Sequence, residues 1–330
     1  MLKNIKLIKN MLSGSTVLCL WQVTGRCDFT CKICTFWKEN HTIDEELNLG
    51  QIEMVVEKIK PLAPIMISLA GGEPLLREDL HDIVKIVAKD HYCSVITNGW
   101  HMTRDIAKKL YENGMRDAMV SIDYAVPERH DAQRGVSGAF ERAVAALEIL
   151  RDTRPDSSHK VRILTVLLDD NIQELEGLLL MAKELSVSLA LTLYSDHRGK
   201  KAARFPKPPV SEYLLELKRR HAIFDSASEY LASFDQALTQ GISGCGGGMT
   251  FININCRGMI SRCIDTADTA SADPQLQSLE DVRVALRAEA GTEDCAKCWT
   301  SCRGLADVIT GVHGIKNYRE FTRSRRSYPV

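Results

Sequence analysis

Six short apolar runs, each followed by a segment of helical periodicity, are the strongest constraint on the fold of this 330-residue chain. The predicted strands are residues 17–24, 64–70, 92–97, 117–122, 161–168 and 187–194. The predicted helices between them are residues 48–59, 77–89, 103–114, 139–151 and 172–185. Strands that alternate with helices of this length form βαβ units around a parallel sheet, so an α/β fold is expected.

The number of units favours a partial (β/α)6 barrel similar to a TIM barrel. A closed barrel needs eight units, and the sequence after Tyr230 does not supply two more. The alternative is an open doubly wound sheet, but no G-x-G-x-x-G turn follows the first strand. In parallel barrels the active site is built from the loops at the carboxyl ends of the strands.

Unusual segments follow four of the predicted strands at that edge. They are the cysteine loop 27–34, Gly71-Gly72-Glu73-Pro74, Thr97-Asn98-Gly99 and Ser121-Ile122-Asp123. Thiolates are the usual protein ligands of iron–sulfur clusters, and three local cysteines leave the fourth corner of a cluster without a nearby ligand. The alternative is a structural zinc loop, which prefers four closed ligands and does not require the other three segments to converge.

The spacing of Cys27, Cys31 and Cys34 resembles the C-x3-C-x-aromatic-C signature of the radical S-adenosylmethionine (SAM) enzymes. Ile33 stands where the family usually has an aromatic residue. The resemblance implies that these cysteines hold a [4Fe–4S] cluster, whose open iron is chelated by the amino and carboxylate groups of SAM. It also implies reductive cleavage of SAM to a 5′-deoxyadenosyl radical, with an electron donor such as flavodoxin or ferredoxin.

The same resemblance assigns candidate SAM contacts at the strand ends. Gly71, Gly72, Glu73 and Pro74 resemble the GGE motif of the family, and the alternative is an ordinary strand-to-helix turn. Glycines permit close backbone approach, and Glu73 adds negative charge near the SAM ammonium.

Further SAM contacts are expected from the third, fourth and sixth strands. Ser121 and Asp123 stand where the family places groups directed at the ribose and carboxylate of SAM, and Asn98 ends the neighbouring strand. Arg134, placed in a loop after strand four, is either a bidentate partner of the SAM carboxylate or a solvated surface arginine. Residues 191–194 either line the adenine pocket or pack in the core.

A second group of cysteines occupies the last third of the chain. Cys245, Gly258 and Cys263 form a C-x12-G-x4-C pattern, and Cys295, Cys298 and Cys302 follow it. This pattern resembles the auxiliary-cluster extension called Twitch, a shorter relative of the SPASM domain. The resemblance implies a hairpin over residues 250–261 and one auxiliary [4Fe–4S] cluster.

The ligands implied for that cluster are Cys245, Cys263, Cys295 and Cys298, with Cys302 as an alternative to Cys298. Cys256, inside the hairpin, is expected to pack rather than ligate. The competing interpretation is a zinc ribbon, because two pairs of cysteines suit tetrahedral zinc.

Composition excludes several classes of protein. The formal net charge of −1 gives no global attraction for nucleic acid, and no apolar run reaches the length of a membrane span. No signal peptide is evident, so we expect a cytoplasmic protein whose 11 cysteines serve metal or redox chemistry rather than disulfides. Cys19 and Cys93 lie alone in apolar runs and are expected in the core.

Three regions are expected along the chain: an amphipathic helix within residues 1–16, a radical SAM core over residues 17–226, and an auxiliary-cluster region over residues 227–330. The first helix either touches an anionic membrane surface or caps the open barrel. Residues 1–16 are also too few for a fused domain that recognises a peptide leader.

A basic segment after the sixth strand suggests the charge of the substrate. Residues 197–207 contain Arg198, Lys200, Lys201, Arg204 and Lys207 and no acid. At the barrel mouth they predict an anionic substrate, either a small molecule or a lipid-like one. A solvated surface loop is the simpler alternative. Maturation of a peptide precursor, and a non-catalytic iron–sulfur or zinc scaffold, are the competing functions.

Overall fold

The computed structural model of the chain describes residues 2–196, 203–266, 271–272, 277–288, 293–310 and residue 314. The strands in these ranges are β1 (Leu18–Thr24), β2 (Met66–Gly71), β3 (Tyr92–Thr97), β4 (Met115–Ser121), β5 (Lys160–Leu167), β6 (Ser188–Leu193), β7 (Phe251–Ile254), β8 (Ile260–Ser261) and β9 (Ser271–Ala272).

The helices in the described ranges run between and after these strands. They are α1 (Leu2–Leu12), α2 (Leu49–Ile59), α3 (Leu80–Asp90), α4 (Arg104–Glu112), α5 (Pro127–Arg134), α6 (Ala139–Thr153), α7 (Leu175–Glu184), α8 (Ser211–Arg220), α9 (Ser228–Ala232), α10 (Phe234–Thr239), α11 (Leu279–Ala288) and α12 (Ser301–Ile309). No helix in the described part of the chain is both long and apolar enough to cross a membrane.

The six predicted strands form a parallel sheet in the order β6-β5-β4-β3-β2-β1, and β7, β8 and β9 extend it beyond β1. Successive side chains on a strand point to opposite faces, so one set of residues faces the helices and the other faces the barrel interior. On β1, Cys19, Trp21 and Val23 are buried in the main core with the apolar faces of the helices. The prediction of a partial (β/α)6 barrel is therefore confirmed.

The cysteine-rich C-terminal part closes this barrel rather than standing beside it. β7 pairs in parallel with β1, and β7 pairs with β8 in the antiparallel hairpin that the sequence predicts. Helix α12 contacts β6 on one side and β7 on the other. Since β6 and β7 are the two edges of the parallel sheet, α12 lies across the opening between them.

The N-terminal helix packs against the barrel. Leu7 and Met11 are buried in a cluster with Phe251 and Ile309. The Asn10 amide donates to the carbonyl oxygens of Leu62 and Pro64 at 3.1 and 3.4 Å. This geometry agrees with the capping role expected for α1. Contact with a membrane surface stays a prediction.

The sequence misplaces one segment that matters for the site. Arg134 lies in the last turn of helix α5, not in a loop. The helix is short and strongly polar, so it has no apolar stripe that a periodicity argument can detect. Its signals are local: Pro127 begins it, and Gly135 ends it with a φ of +73°.

Candidate active site

The first three cysteines come together at the carboxyl end of β1. Cys27, Cys31 and Cys34 share one apolar cluster with Phe29 and Ala139. The indole N–H of Trp37 donates to the carbonyl oxygens of Cys31 and Cys34 at 3.2 and 3.0 Å, which holds the loop in a tight turn. Among the described residues, no three His, Cys, Asp or Glu side chains are close enough to hold a single metal ion.

Burial makes these thiols hard to ionise without help. It raises the pKa of Cys27 to about 12 and also raises the pKa of Cys31. The guanidinium of Arg134 hydrogen-bonds to Cys31 and opposes that shift. A cationic group against thiols in an apolar nest suits a thiolate-bound cluster, since both the thiolates and their partner are shielded from water.

Two ion-paired arginines fix the loop that carries the cysteines. Arg26 pairs with Glu46 at 2.7 Å. Arg77 donates to the carbonyl oxygens of Val23 and Leu47 at 3.0 and 2.9 Å. These contacts join the end of β1, the cysteine loop and the segment before α2. The sequence analysis missed both arginines, because nothing in their local sequence indicates distant partners.

The two glycines of the GGEP segment are required by the cysteine loop itself. A Cβ at Gly71, whose φ is +130°, would lie 2.1 Å from the carbonyl oxygen of Thr24. A Cβ at Gly72 would lie 1.9 Å from the carbonyl oxygen of Arg26. The backbone N–H of Gly72 donates to Thr24 at 2.9 Å, and that of Glu73 donates to Arg26 at 2.8 Å. The close approach expected of these glycines is thus made to the protein backbone.

Glu73 ties the end of β2 to the end of β3. Its buried carboxylate accepts from the Thr97 hydroxyl at 2.7 Å and from the backbone N–H groups of Asn98 and Leu75 at 2.7 and 2.9 Å. Burial raises the pKa of Glu73 to about 7 in spite of these hydrogen bonds. The three donors orient the carboxylate, and its negative charge appears only near neutral pH.

This raised pKa predicts a pH dependence of stability. The folded-state value lies above the ordinary 4.5, so the contribution of Glu73 is complete below pH 4.5 and is lost as the pH rises through 7. The loss amounts to about 3 kcal/mol of unfolding free energy. We expect the difference in unfolding free energy between the natural protein and Glu73→Gln to shrink by that order between pH 4.5 and 8 in anaerobic urea denaturation. The exposed Glu57→Gln is the control, and an equal shift in both variants would contradict the account.

Asn98 connects β3 to the cysteine loop. Its amide nitrogen donates to Asp28 Oδ1 at 3.1 Å, and its amide oxygen accepts from the N–H of Trp100 at 2.9 Å. His101 contacts the other carboxylate oxygen of Asp28 at 2.7 Å. Asn98 therefore lies beside the loop, as the sequence predicts from its place at a strand end.

Asp123 and Arg134 form a buried ion pair after β4. Arg134 Nη2 lies 2.8 Å from Asp123 Oδ2, and the Val166 N–H donates to Asp123 Oδ1 at 3.0 Å. Asp123 is fully buried and Arg134 is 9% exposed, so the interpretation of Arg134 as a solvated surface residue is wrong. Ser121 lies half-buried at the end of the same strand.

His130 positions this pair, and the sequence analysis missed it. Its Nδ1 accepts from the backbone N–H of Asp123 at 3.2 Å. Burial lowers the pKa of His130 to about 3, which keeps the ring neutral and able to accept. A signal was present in the spacing, since His130 and Arg134 are four residues apart and share one face of α5.

An aromatic cluster follows on the far side of the cysteine loop. Tyr124, Leu168 and Tyr194 are buried together, with Ile33 and Phe205 packed against them. Leu191 and Leu193, by contrast, belong to the main core. Of the predicted adenine-pocket segment, Tyr194 is therefore the residue placed beside the position that precedes Cys34.

Only part of the basic segment after β6 can be located. Residues 197–202, with Arg198, Lys200 and Lys201, lie outside the described residues. Arg204 pairs with Asp169 at 2.6 Å and with Asp170 at 2.8 Å. The expectation that Arg204 is an unpaired cation for the substrate is wrong, because two carboxylates after β5 already neutralise it.

The later cysteines gather at a cavity of about 400 Å³ inside the barrel. Cys245, Cys263, Cys295, Cys298 and Cys302 all line it. Burial raises the pKa of Cys298 and of Cys302 to about 12, and their charges raise each other's pKa further, which places the two thiols near one another. Cys256 is buried but does not line the cavity, as expected for a packed cysteine.

Arg303 organises the backbone around these thiols. It is 1% exposed and donates to the carbonyl oxygens of Cys295, Cys298 and Ile242, the contact with Cys298 being 2.8 Å long. The sequence analysis missed Arg303, although it directly follows Cys302. One guanidinium thus holds the segments that carry two of the candidate ligands.

The cavity and the cysteine loop lie toward opposite ends of the barrel. Leu18, Met66, Tyr92 and Lys160, each the first residue of its strand, line the cavity. Cys27, Cys31 and Cys34 follow the last residue of β1. A molecule in the cavity would thus have the later cysteines beside it and the carboxyl ends of the strands above it.

A parallel partial barrel with a three-cysteine loop after its first strand defines a class of iron–sulfur proteins. Residues 21–182 match the model of the Radical SAM superfamily. The chain belongs to this superfamily of enzymes, whose cofactors are a [4Fe–4S] cluster and SAM. The resemblance drawn from the cysteine spacing is confirmed.

Curated relatives are similar over part of their length. The AdoMet-dependent heme synthase of Methanosarcina barkeri is 31% identical over 175 residues, which are 53% of this chain and 49% of that protein. Mycofactocin maturase MftC of Mycobacterium tuberculosis is 25% identical over 255 residues, which are 74% of this chain and 64% of that protein. The chain therefore spans about half the length of the heme synthase that it matches.

Solved structures share the fold. Streptococcus suis SuiB bound to S-adenosylmethionine superimposes with a TM-score of 0.66 and 15% identity, covering 90% of this chain and 73% of that one. The anSMEcpe enzyme with bound AdoMet gives a TM-score of 0.61 and 17% identity, covering 93% and 96% of the two chains. At these identities the likeness concerns the fold alone.

Proposed function

We propose that this chain is a radical SAM enzyme that abstracts hydrogen from a substrate held in the barrel, with Cys27, Cys31 and Cys34 as the ligands of its SAM-binding cluster. When bound and reduced, the cluster supplies the electron that cleaves SAM into methionine and a 5′-deoxyadenosyl radical. The observation that carries the proposal is the meeting of three thiols and the cationic Arg134 in one apolar nest. An external donor such as flavodoxin or ferredoxin delivers the electron.

The residues around the nest would bind and orient SAM. Gly71, Gly72, Glu73 and Pro74 place a strand end against the cysteine loop, and Asn98 does the same from β3. Asp123 and Arg134 offer opposite charges to the ribose hydroxyls and carboxylate of SAM, while Ser121 adds a hydroxyl at the same edge. Because the pair is already formed, it costs little reorganisation when SAM arrives.

An auxiliary [4Fe–4S] cluster is proposed at the cavity, within a C-terminal region over residues 227–330. Cys245, Cys263 and Cys295 would be ligands, with Cys298 or Cys302 as the fourth. Support comes from the placement of all five thiols on one cavity wall and from Arg303, which ties their backbone segments together. Such a cluster would accept an electron from a substrate radical or bind the substrate directly. A zinc ribbon is the competing assignment.

The proposed substrate is anionic, either a small molecule or a lipid-like one. A peptide is the second candidate. It is favoured by the similarity to a mycofactocin maturase over 74% of this chain and by the fold shared with SuiB, whose structure was also solved bound to the precursor peptide SuiA. The two candidates differ in size and flexibility rather than in the chemistry of the first step.

Transfer of deuterium tests hydrogen abstraction. Candidate substrates, deuterated at carbon, are incubated with the reduced protein and SAM without oxygen. We expect mass spectrometry to find deuterium in 5′-deoxyadenosine with the true substrate, because the radical takes its hydrogen from that carbon. The unlabelled substrate is the control. Turnover of a fully deuterated substrate with no label in 5′-deoxyadenosine would contradict the proposal.

A further inference from the structure

Four charged side chains lie together in the lower part of the barrel cavity. Lys160 Nζ is 2.6 Å from Asp225 Oδ2, and Arg162 Nη1 is 3.4 Å from the same oxygen. Arg162 also pairs with Asp117 on the neighbouring strand. Lys160, Arg162 and Asp225 are each more than nine-tenths buried. Charges are rarely buried at such density unless they are paired, so this cluster is a built feature of the interior.

A fifth charged group makes the cluster unequal. Arg116 lines the same cavity at its exposed rim and donates to His159 Nε2 at 3.1 Å. Within the described part of the chain, no carboxylate lies within 4.0 Å of the Arg116 guanidinium. Three cations, Arg116, Lys160 and Arg162, therefore face two carboxylates. The remaining acid on the cavity wall, Asp265, lies by Cys298 and Cys302 and accepts from Ser195.

The excess positive charge stands at one end of an apolar space. Above the charged cluster, the cavity wall is formed by side chains such as Ile96, Met119 and Leu164. The pKa of Lys160 is lowered by burial, so its charged form gains from any further anion nearby. A ligand that suits both parts has one negative charge at one end and an apolar body.

We propose that this wall, Arg116 with Lys160 and Arg162, binds the carboxylate of an amphipathic organic acid whose apolar body extends up the barrel. The proposal rests on the proposed function and names the substrate class of that same site. A carboxylate fits better than a phosphate because its single charge matches the single excess cation, whereas a phosphate dianion would leave one negative charge unbalanced in the cavity. The acid enters with its apolar part directed toward the proposed SAM site and beside the later cysteines.

A pair of probes that differ only in charge tests the assignment. Isothermal titration calorimetry of the cluster-loaded protein compares 4-phenylbutyrate with 4-phenylbutanamide. We expect the acid to bind the natural protein at least about tenfold more tightly, which is the order of one charge-assisted hydrogen bond. Arg116→Gln should reduce that preference to about threefold or less, and Arg116→Lys should retain most of it.

Arg116 is exposed at the rim, so neither substitution removes a buried charge and both variants should fold. The matched control is Arg104→Gln, another exposed arginine, which pairs with Asp152 at 3.3 Å and should leave the preference unchanged. Equal binding of the two probes, binding of neither, or an undiminished preference in Arg116→Gln would each overturn the proposal. The same samples are assayed for SAM cleavage: loss of cleavage with the preference intact defeats the proposed function alone, and the reverse defeats the carboxylate site alone.

Discussion

Replacement of Cys27, Cys31 and Cys34 by alanine is expected to remove about half of the bound iron and all cleavage of SAM. Two [4Fe–4S] clusters hold about eight irons, and the substitutions delete every protein ligand proposed for one of them. Iron and sulfide are measured after anaerobic reconstitution, and 5′-deoxyadenosine is measured after reduction. The effect should be all or none, since SAM cleavage has no other source of electrons in the proposed site.

A buried cysteine outside the site provides the control for this triple variant. Cys93 is 2% exposed in the main core, and Cys93→Ala should keep the full iron content and activity. SAM cleavage that persists in the triple variant would show that the cluster assignment is wrong.

The second large effect is expected at the later cysteines. Replacing Cys245 and Cys263 by alanine should remove the other half of the iron while the protein still cleaves SAM, because the cysteine loop and the cavity lie toward opposite ends of the barrel. Product formation from the substrate should stop. The measurements are iron content, 5′-deoxyadenosine and product, each made on the same preparation.

Cys256 is the matched control for the auxiliary pair. It lies on the same hairpin but away from the cavity wall, so Cys256→Ala should keep both the iron and the product. One zinc per chain together with only about four irons in the natural protein would overturn the assignment of an auxiliary cluster in favour of a zinc ribbon.

The sequence predicts the barrel well because its evidence is periodic and local. Each of the six strands has a continuous apolar run, and β3 begins and ends where the pattern predicts, at Tyr92 and Thr97. Helix α4 shows the same for capping: the Thr103 side chain accepts from the Ile106 N–H at 3.2 Å, as its place before the helix indicates. The positions of the cysteine loop and GGEP then follow from the strands that they end.

The polar contacts of the site could not be predicted in the same way. The pairing of Asp123 with Arg134 joins a strand end to a helix end, and no local pattern specifies such a contact. Lys160 and Arg162 alternate with apolar residues along β5, which in a one-sided sheet would place them in solvent. The barrel turns that face inward, so the charges predicted for the loop at 197–207 have a counterpart inside the cavity.

The most direct test of the central claim is SAM cleavage by the natural protein. The chain is reconstituted with iron and sulfide without oxygen, reduced with dithionite and given SAM alone. The account predicts 5′-deoxyadenosine and methionine in equal amounts, at a slow rate that rises when the substrate is present. Intact SAM after prolonged incubation, in a preparation that carries both clusters and a reduced iron–sulfur signal, would contradict it.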